Sequence, residues 1–147
     1  SLQKEVRHEL LTLPNYTLFD ILQFVITDVD TVVLSGQVMQ PSLKSDAESA
    51  VRRLEGVGKV VNRIEVLPLS PDDDRIRRAV LRAVYSAQGL ERYALRSVPP
   101  IHIIVKNGTI TLVGAVVSQV DKDLAGIAAR DVPGTFGVNN DLVVQGK

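Results

Sequence analysis

Asp30-Thr-Val-Val-Leu-Ser-Gly-Gln-Val38 and Gly108-Thr-Ile-Thr-Leu-Val-Gly-Ala-Val116 are one pattern written twice, 78 residues apart. Their match decides the fold, because a repeat at fixed spacing is the signature of a duplicated folding unit. The register runs on without a gap. Lys44 falls on Lys122, Ala47 on Ala125, Ala50 on Ala128, Arg52 on Arg130, Gly56 on Gly134, Val60 on Val138, Asn62 on Asn140 and Val66 on Val144. From 30 to 66 this gives 12 identities in 37 positions, where unrelated sequences of ordinary composition share roughly two or three. Upstream the offset slips to 77 and aligns Tyr16-Thr-Leu18 with Tyr93-Ala-Leu95, which puts one extra residue before the first strand of the second copy.

Working outward, each copy reads α-β-β-α-β. In the second, Ser70-Pro71-Asp72-Asp73 starts a helix: a capping hydroxyl, a proline whose missing N–H is harmless in the first turn, and acids favoured by the helix dipole. Ile76, Ala79, Val80, Ala83, Val84 and Ala87 then recur at three- and four-residue spacing as a buried stripe. Strands are expected over 101–106 and 109–116, flanking Asn107-Gly108. That dipeptide is a strong hairpin signal, because a type I′ turn needs positive φ at both central residues. In the first copy the corresponding Asp28-Val29-Asp30 predicts a longer or irregular turn. Second helices are expected over 42–54 and about 120–130, with Leu43, Ala47, Ala50, Val51 and Leu54 facing the core and Glu48 paired with Arg52. Gly56 and Gly134 allow a left-handed turn after these helices. Third strands follow over 60–67 and 137–145.

The fold class is therefore α+β: two tandem α-β-β-α-β units, each a three-stranded mixed sheet with two helices on one face. The boundaries are residues 1–67, a short linker at 68–71, and residues 72–147. The first strands are apolar on both faces, with Phe24 and Ile26 against Val25, and Ile101, Ile103 and Val105 against Ile104. The open sheet faces are accordingly expected to be partly covered, most simply by the two copies packing together. Gly36 and Gly114 are expected to mark a bulge or a close helix approach.

Composition removes several classes of function. The longest apolar runs are strand-sized, far below the roughly 18 residues of a membrane span. There is no cysteine, hence no disulfide, thiol nucleophile or thiolate metal site. Residues 1–67 hold 7 basic and 9 acidic side chains and the remainder 10 and 8, so neither half has the strongly basic balance of a duplex binder. The chain opens Ser1-Leu2-Gln3-Lys4 without an initiator Met or a charged-then-apolar leader, which is expected if a targeting segment was removed or a larger protein trimmed.

The recurring hydrophobic-x-Leu-x-Gly-x-Val, helix, Gly-x-x-x-Val-x-Asn-x-hydrophobic resembles the BON domain, named for bacterial OsmY and nodulation proteins. Its residues are Val32, Leu34, Gly36, Val38, Gly56, Val60, Asn62 and Ile64, then Ile110, Leu112, Gly114, Val116, Gly134, Val138, Asn140 and Leu142. The resemblance covers nearly the whole chain. It implies a tandem BON protein of the bacterial envelope, periplasmic or envelope-associated, similar to osmotic-stress periplasmic proteins and to modules attached to channels and secretin-type assemblies. Phospholipid attachment, not catalysis, is the activity it implies, with a structural role for Gly36, Gly56, Asn62, Gly114, Gly134 and Asn140 and no cofactor.

The most suggestive chemical stretch runs from Arg75 to Arg96, with Arg75, Arg77, Arg78, Arg82, Arg92 and Arg96 against the single acid Glu91. Guanidinium forks suit phosphate oxygens and tyrosines favour membrane interfaces. The candidate site for anionic phospholipid is Arg75, Arg78, Arg82, Tyr85, Arg92 and Arg96. The plain alternative is a solvated helix face offset by Asp72 to Asp74, which makes the chain a protein-interaction or structural module with an envelope protein as partner. Tyr93 reads as a core anchor. His8 and His102 lack the spacing or partners of a zinc site or a catalytic triad, and His102, aligned with Phe24, reads as a packed or surface imidazole. Gly134-Thr-Phe-Gly137 matches the GxxG of KH domains. It runs from helix to strand and has little positive charge nearby, so a nucleic-acid partner is not expected. The oligomeric state stays open.

Overall fold

The computed structural model describes residues 1–96 and 99–145; positions 146–147, assigned above to the second unit, lie outside them. The chain forms two compact units, Ser1–Leu67 and Pro68–Lys147.

In the first unit, α1 (Leu2–Leu11) precedes the hairpin β1 (Ile21–Thr27) and β2 (Thr31–Val38), then α2 (Pro41–Arg52), β3 (Lys59–Asn62) and β4 (Glu65–Val66). Strand β2 is central. It pairs antiparallel with β1 and parallel with both β3 and β4, and the parallel pairs are possible because α2 provides the crossover. The expected third strand is thus two short pieces, interrupted at Arg63 and Ile64. The core joins Val6 and Leu10 of α1, Leu43, Ala47 and Val51 of α2, and Leu22, Val32, Leu34, Val38 and Ile64 of the sheet and its break. Leu54, expected on the second helix, lies in the turn after it, where the Val57 N–H reaches the Leu54 carbonyl and Gly56 takes φ +97°.

The second unit repeats the order with α3 (Pro71–Tyr85), a 3₁₀ turn (Glu91–Leu95), β5 (His102–Lys106), β6 (Thr109–Val116), α4 (Gln119–Arg130) and β7 (Gly137–Val144). Helix α3 begins inside the stretch expected as linker, with Ser70 accepting from the Asp73 N–H at 3.1 Å. Here the third strand is unbroken, pairing parallel with β6 over its whole length.

The hairpins differ as their sequences require. Asn107 and Gly108 have φ of 51° and 81° in a two-residue turn closed by Lys106 and Thr109. In the first unit Thr27 pairs with Thr31, leaving a three-residue loop in which Asp28 and Val29 take φ of 51° and 72°. That extra residue corrects the repeat alignment. Phe24 faces Leu34 and Ile103 faces Leu112, so Phe24 corresponds to Ile103, while His102, opposite Val113, corresponds to Gln23, opposite Ser35. His102 is buried.

Gly36 and Gly114 need correcting too: their close approach is to the neighbouring strand and not to a helix. At φ +115° and +139°, a Cβ would stand 2.0 Å from the Ile21 carbonyl oxygen and 1.9 Å from that of Pro100. On the open face, Val25 is exposed in the first unit, whereas Ile104 is buried in the second.

Candidate functional site

Helix α3 and the 3₁₀ turn carry five of the six arginines of the candidate stretch and Arg96 follows the turn, and the structure sorts them by what they touch. Arg77 is buried: Nη2 donates to the Val105 carbonyl at 2.7 Å and Nη1 to Asp74 at 2.7 Å, while Nε has no partner among the described residues. Arg75 pairs with Asp72 at 2.9 Å and reaches the Pro133 carbonyl at 3.3 Å. Arg92 bonds the Gly89 carbonyl and the buried Asp121, the latter at 2.5 Å, with its guanidinium 4.6 Å from the Tyr93 ring centroid. Arg96 stacks over the same ring at 5.5 Å.

Arg78 and Arg82 remain exposed, and among the described residues their side chains make no hydrogen bond or ion pair. Four residues apart on a helix, they project from one face within a few ångströms of each other. Leu95, 87% exposed, stands between Arg92 and Arg96 in sequence. The sequence reading missed it because a lone leucine in a loop carries no periodic signal.

The tyrosines are braces. Tyr85 Oη donates to the Ile101 carbonyl at 2.8 Å and accepts from the Ile101 N–H at 3.0 Å, and burial pushes its phenol up to about 12. Tyr16 plays the same part in the first unit, accepting from the Leu22 N–H at 3.0 Å. Tyr16 thus shares its hydrogen-bond role with Tyr85, although Tyr85 ends a helix and Tyr16 lies beyond one. Tyr93 is fully buried, donates to Asp121 at 2.5 Å and accepts from the Val117 N–H at 3.1 Å. The equivalent N–H in the first unit, that of Met39, goes to Asp20 at 2.6 Å. Burial first, then the hydrogen bond to Asp121, raises the Tyr93 pKa.

Asp73, expected only to favour a helix start, and Asp121 do more. Asp73 is buried and accepts from the Asn107 and Gly108 N–H groups, both at 2.9 Å. With Arg77 on Val105, it fastens the β5–β6 hairpin to α3. Asp121 receives both Arg92 and Tyr93. The signal existed: Asp73 and Arg77 lie on the stripe that continues through Val80 and Val84, and Asp121 on the stripe of Ala125 and Ala129, so charge obscured a legible burial pattern.

The motif asparagines join strand to helix. Asn62 Nδ2 donates to the Lys44 carbonyl at 2.9 Å and to Glu48 at 3.0 Å, while its Oδ1 accepts from the Ile64 N–H at 3.2 Å. The Asn62 hydrogen bond holds the Glu48 carboxyl below its usual range, with the neighbouring Arg52 adding to the effect. In the Gly134–Gly137 loop the Phe136 N–H donates to the Gly108 carbonyl at 2.9 Å, which takes it from any phosphate. Among the described residues no group of three or more metal-binding side chains gathers, and no helix is long and apolar enough to cross a membrane.

Comparison with known proteins gives a family and a distant structural likeness. The family model of the BON domain matches residues 2–68 and 72–146. No curated protein matches the chain. Among solved structures, the C-terminal domain of CdsD, described as the structural protein of the type III secretion system of Chlamydia trachomatis, is similar at 14% identity and TM-score 0.39, covering 99% of this chain and 98% of that one. A second CdsD structure from the same organism is similar at 12% identity and TM-score 0.39, with coverage of 98% and 92%.

Proposed function

The chain belongs to the BON domain family, with the domain present twice, and from that premise we propose a non-catalytic adaptor of the bacterial envelope whose second domain engages anionic phospholipid surfaces. The observation that carries this reading is the exposed, unpaired pair Arg78 and Arg82 on α3. Guanidinium groups fit phosphate oxygens, and each basic residue close to an anionic leaflet contributes about 1 kcal/mol. Two such residues give a weak attraction that ordinary salt screens. The exposed Leu95 side chain adds apolar area beside Arg96. Arg75 and Arg92 are exposed but already engage protein partners, and the half-buried Tyr85 spends its hydroxyl on Ile101.

Co-sedimentation with anionic and neutral vesicles at low and moderate salt tests the proposal. Association is expected with anionic vesicles at low salt, reduced by salt and by the double substitution Arg78→Glu and Arg82→Glu. Equal recovery with neutral and anionic vesicles at low salt overturns it. The rival reading, a protein-interaction module indifferent to lipid, is favoured by the internal pairing of Arg75, Arg77 and Arg92 with acids, which removes half the arginines from the surface charge.

A further inference from the structure

The duplication supplies an internal control for every surface position, and one helix face departs from it in a coordinated way. On α2 the outward positions Ser42, Asp46 and Ser49 are polar and exposed. Their equivalents on α4 are Val120, 64% exposed, Leu124, partly buried, and Ile127, 50% exposed. At about 100° per residue these three share a stripe about 60° wide. On the inward face Ala47 and Ala125 are both fully buried, and the buried Leu43 is replaced by the buried Asp121, so no inward polar residue becomes apolar there.

The flanking charges change with the stripe. In the first unit Arg52 pairs with Glu48 one turn away on its own helix. In the second, Arg130 keeps the arginine, but Gly126 stands where Glu48 was and an acid appears at Asp123 in place of Ser45. Asp123 and Arg130 lie on the same flank of the stripe, two turns apart and about 10.5 Å along the axis, beyond the i,i+3 and i,i+4 spacings that close within a helix. Neither forms an ion pair among the described residues; Asp123 accepts only from Gln119, at 2.9 Å.

We propose that this face of α4 is a self-association surface, on which α4 of one chain packs antiparallel against α4 of a second copy across a two-fold axis close to Ile127. The charge pattern selects this occupant. When helices pack antiparallel across a two-fold axis, like flanks meet. Asp123 of each copy then faces Arg130 of the other, two ion pairs form at once, Ile127 meets its own equivalent at the centre, and Val120 approaches the exposed Pro133. A two-fold interface must be self-complementary in this manner. The contact is one helix wide, so it belongs with the small, transient interfaces below about 1,200 Å².

Sedimentation of the full chain over a range of concentrations, without lipid, tests this. A reversible monomer–dimer equilibrium is expected. Asp123→Arg and Arg130→Asp each weaken it by about three- to ten-fold, and the double charge swap returns it to near the original affinity. Installing the α2 residues, Val120→Ser, Leu124→Asp and Ile127→Ser, abolishes the dimer while far-ultraviolet circular dichroism stays unchanged. Because the chain has no cysteine, Ile127→Cys forms a disulfide-linked dimer under mild oxidation and Val29→Cys, on the exposed hairpin, does not. A monomer at every concentration overturns the proposal, as does a dimer unaffected by the triple substitution or a charge swap that fails to restore association. If the triple variant loses vesicle binding with its association state unchanged, the face is a lipid surface and self-association is refuted.

Discussion

Asn140 Nδ2 donates to the carbonyl oxygen of Lys122 at 2.8 Å, tying the edge strand β7 to helix α4. Its Oδ1 meanwhile accepts from the Leu142 N–H at 3.3 Å. Asn62 makes the same bridge from β3 to α2, which explains why a polar residue recurs in the motif between Val60 or Val138 and the apolar side chains that follow. Truncation to alanine leaves a carbonyl and an amide without their partner, at a cost of about 1–3 kcal/mol per site.

The two asparagines are expected to respond differently to acid. Asn62 also donates to Glu48 and lowers its pKa. A carboxyl with a depressed folded pKa stabilises fully above its unfolded value and loses that contribution as pH falls through the folded one. The penalty of Asn62→Ala, measured by urea unfolding, should therefore shrink between neutral pH and about pH 3, whereas that of Asn140→Ala should not, since Gly126 stands where Glu48 does. Parallel pH profiles for the two variants contradict this assignment.

Gly36 and Gly114 combine positive φ with backbone oxygens about 2 Å from any added Cβ. Alanine at either position must displace a strand, not a flexible side chain. We expect a loss of at least about 3 kcal/mol or failure to fold, with Gly56→Ala markedly milder because only the Leu2 side chain, at 3.9 Å, lies near. Thermal melts of the three variants rank them, and equal melting temperatures for Gly36→Ala and Gly56→Ala refute the steric account.

The elements were legible because apolar periodicity, Ser70-Pro71 and Asn107-Gly108 each encode local geometry directly. Register was less so: a single extra residue in the Asp28–Asp30 loop of the first copy shifts every upstream equivalence, whereas the match of Tyr16 with Tyr93 puts an extra residue in the second copy. Five arginines of the stretch, Arg75, Arg78, Arg82, Arg92 and Arg96, group as one surface because sequence counts charges without showing direction. Pairing divides them, tying Arg75 to Asp72 and Arg92 to Asp121 while Arg78 and Arg82 stay in water.

Asp73 and the Asn107-Gly108 turn form a further testable unit. Charged hydrogen bonds are worth about 1.5–3 kcal/mol each to the group that keeps them. Asp73→Ala should thus destabilise the second unit by about 2–3 kcal/mol, and Asp73→Asn by less, since the amide retains one acceptor oxygen. Amide hydrogen exchange locates the effect: Asn107 and Gly108 should lose protection first. Unchanged exchange at those two amides would remove the carboxylate from this role.

Tyr85 gives the alkaline side of the stability profile. Burial raises its phenol from 10.0 to about 12, against a smaller lowering from the hydrogen bond to Ile101. Because the folded value lies above the unfolded one, the neutral phenol stabilises fully below about pH 10, and the contribution disappears as pH rises towards 12. Tyr16 and Tyr93 are also raised, so all three tyrosines of the chain act in the same direction. Tyrosinate absorbance should therefore develop later in the folded protein than in urea, and the melting temperature should fall across that window. Tyr85→Phe should remove the latest-titrating part of the absorbance and flatten the fall in stability. It should also cost stability at neutral pH, because the Ile101 N–H and carbonyl lose their shared partner. A Tyr85→Phe titration with the same late component as the parent would place the raised phenol elsewhere and break the link between this brace and alkaline unfolding.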